Sequence, residues 1–325
     1  HAAMFSYRHA FHAGNHADVL KHTTLIATLR YLTQKEAGLT LIDTHAGAGL
    51  YRLDSDFSET GGEARDGIVK LMAAQRPHAD GSKANAPDPV AKRSKDATII
   101  EAPAIQDYMD LIAGFNPDGR LRIYPGSPFV MHRLMRAEAR DKLKLFELHP
   151  TDSKVLAANI AQLEAGRQIA VARQDGFEGI KAFLPPPNRR ALVLMDPSYE
   201  LKSDYAQVSA SIQDCLKRFA TGTYIIWFPV IPRPEAHELP RRLKTLANQA
   251  KRSWLHATLA IGADEAPPPA LDVPGEPRRH GLRASGVFVI NPPHTLKASL
   301  QPALAVMLQA LGRGPGKGTT LECGG

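Results

Sequence analysis

Arg190-Ala191-Leu192-Val193-Leu194-Met195 runs without a break into Asp196-Pro197-Ser198-Tyr199. A short, continuously apolar run bounded by charge on one side and Asp-Pro on the other reads as a strand buried on both faces. Pro197 ends it, because a proline has no N–H to give to a ladder. An acid, a stiff ring and an aromatic side chain therefore fall together at the strand's C-terminal tip. In an open parallel sheet that edge is where ligands bind.

Working outward, strand-length apolar runs recur at Leu39–Ile42, Leu143–Phe146, Ile169–Ala172, Tyr224–Phe228, Trp254–Ile261 and Val287–Ile290, giving seven strands in all. Helical patterns separate most of them, at about 15–35, Ser153–Ala165, Asp204–Phe219 and Pro240–Ala250. Strand-helix alternation implies crossover connections and a parallel sheet covered on both faces. Between Ile261 and Val287 the pattern changes to a Pro/Arg-rich stretch with no helical period. A connection without a crossover helix suits an antiparallel neighbour. The expected fold is thus α/β and Rossmann-like: a seven-stranded, mostly parallel sheet with its last strand antiparallel.

The gap from Asp43 to Glu147 is too long for one crossover, which takes roughly 30 residues. It holds two helical patterns, around Gly62–Ala74 and Ile105–Gly114, separated by an Ala/Pro/Asp/Lys-rich loop at 77–97. A small helical subdomain inserted at 52–122 is expected. Residues 4–51 then supply an N-terminal segment and the first strand, 123–312 the remainder of the sheet domain, and 313–325 a glycine-rich, disordered tail. His1-Ala2-Ala3 precedes Met4 and is set aside as a cloning remnant.

Composition narrows the function classes. The chain has 325 residues, 43% apolar and 22% charged, and a formal charge of +7, which fits a packed globule that tolerates a polyanionic partner. No apolar run reaches the ~18–20 residues of a membrane helix, the N-terminus lacks a signal-peptide core, and two cysteines are too few for a disulfide framework. A soluble, cytoplasmic, monomeric protein is expected.

Three further strand tips carry polar groups. The first strand enters Asp43-Thr44-His45-Ala46-Gly47-Ala48-Gly49, where the glycines serve either a close-approach ligand loop or simply a tight turn. The second ends at Glu147, placed either to accept from ribose hydroxyls or to sit in solvent. The third ends at Asp175-Gly176, where a carboxylate facing an adenine amino group competes with a plain Asp-Gly turn. Asp196-Pro197-Ser198-Tyr199 is more particular. An exocyclic amino nitrogen is a poor nucleophile because its lone pair is delocalised into the base. A carboxylate accepting one N–H, with a backbone carbonyl accepting the other, localises that pair, while a stacked ring holds a base taken out of its helix. Ser127-Pro128 reads as an N-cap followed by proline at the first helical position, whose free N–H groups suit a carboxylate.

With these motifs in order, the chain resembles the class I S-adenosylmethionine-dependent methyltransferases that act on amino nitrogens. More narrowly it resembles the bacterial RlmJ family of 23S ribosomal RNA adenine-N6 methyltransferases. The resemblance is carried by Ser6-Tyr7-Arg8-His9-Ala10-Phe11-His12-Ala13-Gly14-Asn15-His16-Ala17-Asp18-Val19-Leu20-Lys21-His22, by Asp43–Gly49, and by Tyr124-Pro125-Gly126-Ser127-Pro128. Phe219–Tyr224, Ala284-Ser285-Gly286 and Asn291-Pro292-Pro293 complete it, over about residues 4–295. The resemblance implies Asp196 as the catalytic carboxylate, with Pro197, and Tyr199 stacked on the target adenine. It implies an S-adenosylmethionine site formed by His22, His45, Gly47, Ser127, Glu147, Asp175 and Gly176. Tyr7, Arg8, His9 and Lys21 would lie on an RNA-facing segment. The family tetrapeptide usually has proline where this chain has Ser198, which loosens the loop and leaves target preference open.

His12 and His16 share the i,i+4 spacing of helix-borne metal ligands, but no Cys or acid completes a zinc set, so no metal is expected and hydrogen bonding is the favoured role. Among the basic pairs Arg189-Arg190, Arg241-Arg242, Lys251-Arg252 and Arg278-Arg279-His280, the last is the preferred phosphate contact. The expected partner is 23S rRNA, protein-free or in an early assembly intermediate. The alternatives are a DNA adenine-N6 methyltransferase, or a non-catalytic RNA-binding or ribosome assembly factor on the same scaffold.

Overall fold

The computed structural model describes residues 12–53, 63–75, 99–262 and 281–325. Tyr7, Arg8 and His9, the loop at 77–97 and Arg278-Arg279-His280 lie outside the described residues.

Helix α1 (His16–Leu32) comes first, capped by the Asn15 side chain, which accepts from the Asp18 N–H at 2.9 Å. The apolar spacing suggested a helix over about 15–35, which is present, but it did not foretell the burial of its polar residues. His16, Lys21, His22, Thr23, Thr24 and Thr28 are buried along with the apolar residues, because helices and sheet surround it. Thr24 and Thr28 satisfy their hydroxyls on the carbonyls four residues back, both at 2.8 Å.

The chain then forms β1 (Thr40–Asp43) and a short β2 (Leu50–Arg52) before the long excursion. A 3-10 turn (Glu63–Asp66), α2 (Ile68–Gln75) and α3 (Pro103–Gly114) follow. The return strand β3 (Ile123–Pro125) pairs antiparallel with β2, with Tyr51 opposite Tyr124, so both ends of the excursion meet at one neck. Gly67 packs against the N-terminal turn: a Cβ there would lie 2.1 Å from the Gly14 carbonyl oxygen. Only glycine lets the two backbones approach so closely.

The core alternates as the sequence implies: α4 (Ser127–Leu134), β4 (Lys142–Phe146), α5 (Pro150–Ala161), β5 (Ile169–Ala172), a helical turn at Gly176–Gly179, β6 (Ala191–Met195), α6 (Lys202–Arg218), β7 (Thr223–Pro229), α7 (Pro234–Gln249), β8 (Trp254–Ala260), β9 (Ala284–Ile290) and α8 (Leu296–Leu311). All seven expected strands are present. Helix α7 starts six residues earlier than its pattern suggested. Pro234 is tolerated in the first turn, and the helix runs through Pro240 because Ala236, Leu239, Leu243, Leu246 and Ala247 form one buried stripe.

The sheet order is β10-β8-β9-β7-β6-β1-β4-β5. β9 is antiparallel to both β7 and β8, whereas β1, β4, β5, β6 and β7 pair in parallel. The antiparallel last core strand is therefore inserted between its predecessors rather than added at the rim. The rim belongs to β10 (Gly318–Gly324), antiparallel to β8 from Gly318 opposite Ala260 to Gly324 opposite Trp254. This corrects the expectation of a disordered tail and of seven strands. Glycine content suggested disorder, but the exposed edge of β8 supplies the ladder partners that glycine's lack of a side chain cannot, and Gly324 lies where a Cβ would meet the Trp254 ring at 2.5 Å.

From β1 the parallel strands run outward in both directions, to β4 and β5 on one side and to β6 and β7 on the other. The strand order thus reverses at β1, and the crevice beyond the β1 and β6 tips is the position where α/β sheets bind ligands. Asp43 pairs with Leu194, which brings Asp196, two residues on, to the same lip.

Candidate active site

A cavity of about 620 Å³ opens at that lip. Lys21 and His22 of α1, His45 after β1, Ser127 of α4, Asp196, Pro197 and Tyr199 after β6, and Trp227 of β7 all line it. Residues from five separate segments therefore meet at one cavity.

Asp196 is 4% exposed, and its Oδ2 lies 2.6 Å from the Lys21 Nζ. Its other oxygen, Oδ1, is buried with no hydrogen-bond partner among the described residues. An unsatisfied buried carboxylate oxygen costs stability unless a ligand completes it. Burial pushes the Asp196 carboxyl up, while the adjacent ammonium of Lys21 acts in the opposite sense. Lys21, expected on an RNA-facing segment, is buried against Asp196. It also touches Asp18 at 3.3 Å and lies 5.0 Å from the centre of the Trp227 ring.

Tyr199 has a φ of 55°, a strained region for an aromatic residue. Two contacts hold it there. Its hydroxyl donates to the Trp227 carbonyl at 2.6 Å, and its own carbonyl accepts from Arg233 Nη1 at 3.3 Å. Its ring packs 4.7 Å from that of Tyr205 and 6.0 Å from that of Trp227, so one edge of the cavity is an aromatic wall. Ser198 Oγ accepts from the Glu200 N–H at 3.4 Å.

Ser127 departs from expectation. Gly126 is the N-cap, and Ser127 is the first helical residue. Its hydroxyl donates to Asp43 Oδ2 at 2.5 Å instead of capping the helix. Spacing alone places such a boundary only to within a residue or two. Asp43, to which the motif reading gave no role, is fully buried; burial first and Asp196 second push its carboxyl up to about 7. Burial drives the two histidines the other way, His22 to about 4 and His45 to about 3, so both are neutral near pH 7. His45 Nδ1 pairs with the Thr44 hydroxyl at 2.8 Å, and its ring meets the Phe177 edge 4.8 Å away.

Gly47, Glu147, Asp175 and Gly176 cluster at the same sheet edge but do not line the cavity. The Gly47 N–H donates to the Glu147 carboxylate. Asp175 accepts from the Phe177 N–H at 3.0 Å and so caps the Gly176–Gly179 turn. Gly176 is required by contact, since a Cβ would lie 2.0 Å from the Thr44 carbonyl oxygen.

Burial, followed by Asp152, Asp43 and Asp196, pushes the Glu147 carboxyl up from 4.5 to about 8. The folded state therefore holds this proton more tightly than the unfolded state. Its contribution to stability is complete below pH 4.5 and is lost as the pH rises through about 8. Thermal unfolding followed by circular dichroism should show the melting temperature falling from pH 5 to 8.5. Glu147→Gln should flatten part of that fall; an equal fall in both proteins would remove Glu147 as its source.

His12, His16, Arg190 and Arg252 make local contacts. His12 Nδ1 pairs with Glu63 at 2.9 Å and His16 Nε2 with the Leu282 carbonyl at 2.7 Å. Among the described residues no group of three or more His, Cys, Asp or Glu is arranged to hold a metal. Arg190 binds the Leu32 carbonyl at 2.5 Å and also the Ala37 carbonyl, so it closes the end of α1 rather than presenting a free charge. Arg252 is tied to Asn291 at 2.7 Å. Arg283, which none of the motifs singled out, lines the cavity.

The family model described as "Ribosomal RNA large subunit methyltransferase D, RlmJ" matches residues 36–81 and 91–322. The chain belongs to the RlmJ family. It is 37% identical over 302 residues to the ribosomal RNA large subunit methyltransferase J of Escherichia coli (strain K12), covering 93% of this chain and 92% of the relative. It is 38% identical over 309 residues to the protein of the same name from Haemophilus influenzae, covering 95% and 94%. Among solved structures, protein LPL1258 from Legionella pneumophila matches with a TM-score of 0.73 at 27% identity, covering 96% of this chain and 98% of that one. The RlmJ match spans the sheet, the excursion between β1 and β4, and most of β10.

Proposed function

We propose that this RlmJ-family chain methylates the N6 amino group of an adenine in 23S ribosomal RNA, with S-adenosylmethionine as donor and S-adenosylhomocysteine as product. The observation that carries the reading is Asp196. One of its oxygens is held by Lys21, and the other is a buried acceptor at the cavity wall with no hydrogen-bond partner among the described residues. An adenine amino group, with two N–H donors on a planar nitrogen, is the group such an oxygen lacks.

The cavity fits the donor as well. Its volume lies within the ~300–1,000 Å³ usual for small-molecule sites. Neutral His22 and His45 and the first turn of α4 offer hydrogen-bonding groups, and Asp196 stands at the cavity wall. S-adenosylmethionine would supply an electrophilic methyl group. The chain's own contribution is to bind, orient and accept. Asp196 takes one amino N–H, drawing the nitrogen's lone pair out of the ring. The Pro197 carbonyl, next along the motif, is the candidate acceptor for the second. Tyr199 and Trp227 form the flat wall against which a flipped base would rest. No side chain is needed as a strong base, because the methylated nitrogen is cationic and sheds its proton readily. Lys21 favours the ionised form of Asp196 and holds it in place. Tyr7, Arg8 and His9 would extend the substrate side of the site, and Glu147 and Asp175 the ribose and adenine side of the cofactor. A cytoplasmic, monomeric enzyme acting on protein-free RNA or an early assembly intermediate fits this scheme. No helix among the described residues is long and apolar enough to cross a membrane.

The test is methyl transfer from labelled S-adenosylmethionine to protein-free 23S rRNA, assembled large subunits and duplex DNA, followed by mass-spectrometric mapping of methyladenine. Label is expected in the rRNA. Label confined to DNA would replace the reading with the DNA-directed alternative, and no transfer to any substrate would favour a non-catalytic factor.

A further inference from the structure

Behind the cavity wall stands a chain of three buried side chains from three elements. His22 of α1 is 3% exposed, and Tyr124 of β3 and Tyr108 of α3 are fully buried. His22 Nδ1 lies 2.6 Å from the Tyr124 hydroxyl, which lies 2.8 Å from the Tyr108 hydroxyl. The His22 and Tyr124 rings stack with centroids 5.5 Å apart. Only His22 of the three lines the cavity.

Proton counting orders this chain. Each phenol carries one proton, and a neutral imidazole carries one on either nitrogen. Were His22 to donate from Nδ1, Tyr124 would have to donate to Tyr108. The Tyr108 proton would then have no acceptor, since among the described residues Tyr124 is its one hydrogen-bond partner. A buried O–H left in that state costs about 1–3 kcal/mol. In the reverse order every donor is used: Tyr108 donates to Tyr124, and Tyr124 donates to His22 Nδ1. The remaining proton then sits on His22 Nε2, the ring nitrogen with no partner among the described residues. Burial keeps the ring neutral, which the ordering requires.

We propose that Tyr108 and Tyr124 are positioning residues that fix His22 as the Nε2–H tautomer, so that it presents a hydrogen-bond donor to an anionic or carbonyl oxygen of the ligand in the cavity. Because Tyr108 lies on α3 and Tyr124 on β3, the excursion between β1 and β4 thereby sets the chemistry of a group on α1. The inference rests on the cofactor reading above for the ligand, S-adenosylmethionine, whose carboxylate is the acceptor this donor suits.

Two measurements test it. Long-range proton–nitrogen NMR of the histidine-labelled full chain should show His22 with an unprotonated, acceptor-type Nδ1 and a protonated Nε2. Calorimetry with S-adenosylhomocysteine should show Tyr124→Phe, which keeps the stacked ring, binding about tenfold more weakly. The Michaelis constant for S-adenosylmethionine should rise to match, while kcat at saturation stays close to that of the unaltered chain. Tyr108→Phe should lie between the two and give a mixed His22 tautomer. A protonated Nδ1 in the unaltered chain overturns the proposal whatever binds. If that chain binds S-adenosylhomocysteine and Tyr124→Phe binds it equally well, the proposal fails and the cofactor reading stands. If it does not bind the compound at all, the cofactor reading fails, and the NMR spectrum still decides the proton order.

Discussion

Asp196→Ala should reduce kcat by roughly 10²–10⁴-fold while S-adenosylhomocysteine still binds. The amino group of adenine reacts only when its lone pair is freed from the ring, and Asp196 Oδ1 is the buried acceptor positioned to do this. Alanine removes that acceptor and leaves Lys21 with Asp18 as its acidic neighbour at 3.3 Å. Asp196→Asn is the sharper test because it preserves shape. The Lys21 ammonium, a donor only, contacts Oδ2 at 2.6 Å and would claim the amide oxygen of the variant. The amide nitrogen would then face the cavity and set donor against donor where the substrate N–H must bind. Asp196→Asn should therefore be nearly as inactive as Asp196→Ala in single-turnover methyl transfer. An asparagine variant retaining most of the rate would show that charge and acceptor at this position are dispensable, and the amino-activation mechanism would fall.

The fold was legible because its signals are local. Continuous apolar runs mark Ala191–Met195 and Tyr224–Phe228 as strands buried throughout, and the proline-rich sequence before Val287, with no helical period, marks the reversal. β10 was not legible, since Gly318–Gly324 becomes a strand only through pairing with the edge of β8. The site divides in the same way. Asp196, Tyr199, His22, His45 and Ser127 could be placed from strand tips and from the family resemblance, and the fold brings them to one cavity. What spacing could not show was which groups face each other across the sheet. Nothing in the order of residues ties Lys21 to Asp196, Ser127 to Asp43 or His22 to Tyr124, because those pairs form only when α1, α4 and β3 converge. Trp227 was hidden for the opposite reason: inside a wholly apolar strand it reads as core, and only the strand's end position exposes one face of its ring to the cavity.

Lys21 gives the second large effect, and its sign follows from burial. The Lys21 and Asp196 side chains are 8% and 4% exposed, so neither charge is well hydrated. Removing one partner of such a pair typically costs ~3–5 kcal/mol, unless the survivor neutralises itself. In Lys21→Met the survivor is a carboxyl already pushed up by burial, and losing the ammonium pushes it further in the same direction. The protonated acid cannot accept an amino N–H through the oxygen that carries its proton. At neutral pH kcat should therefore fall by about a hundredfold, and it should recover as the pH is raised and the carboxylate re-forms. Lys21→Arg keeps the charge, but its planar fork does not reproduce a point contact at 2.6 Å, so partial activity with a smaller alkaline displacement is expected. Measuring kcat from pH 6 to 9.5 at saturating cofactor, with melting curves alongside, separates the two roles Lys21 could have. A lysine that merely supports the fold would lower the melting temperature and leave the shape of the pH profile alone. A lysine that keeps Asp196 ionised must move the acidic limb of that profile upward.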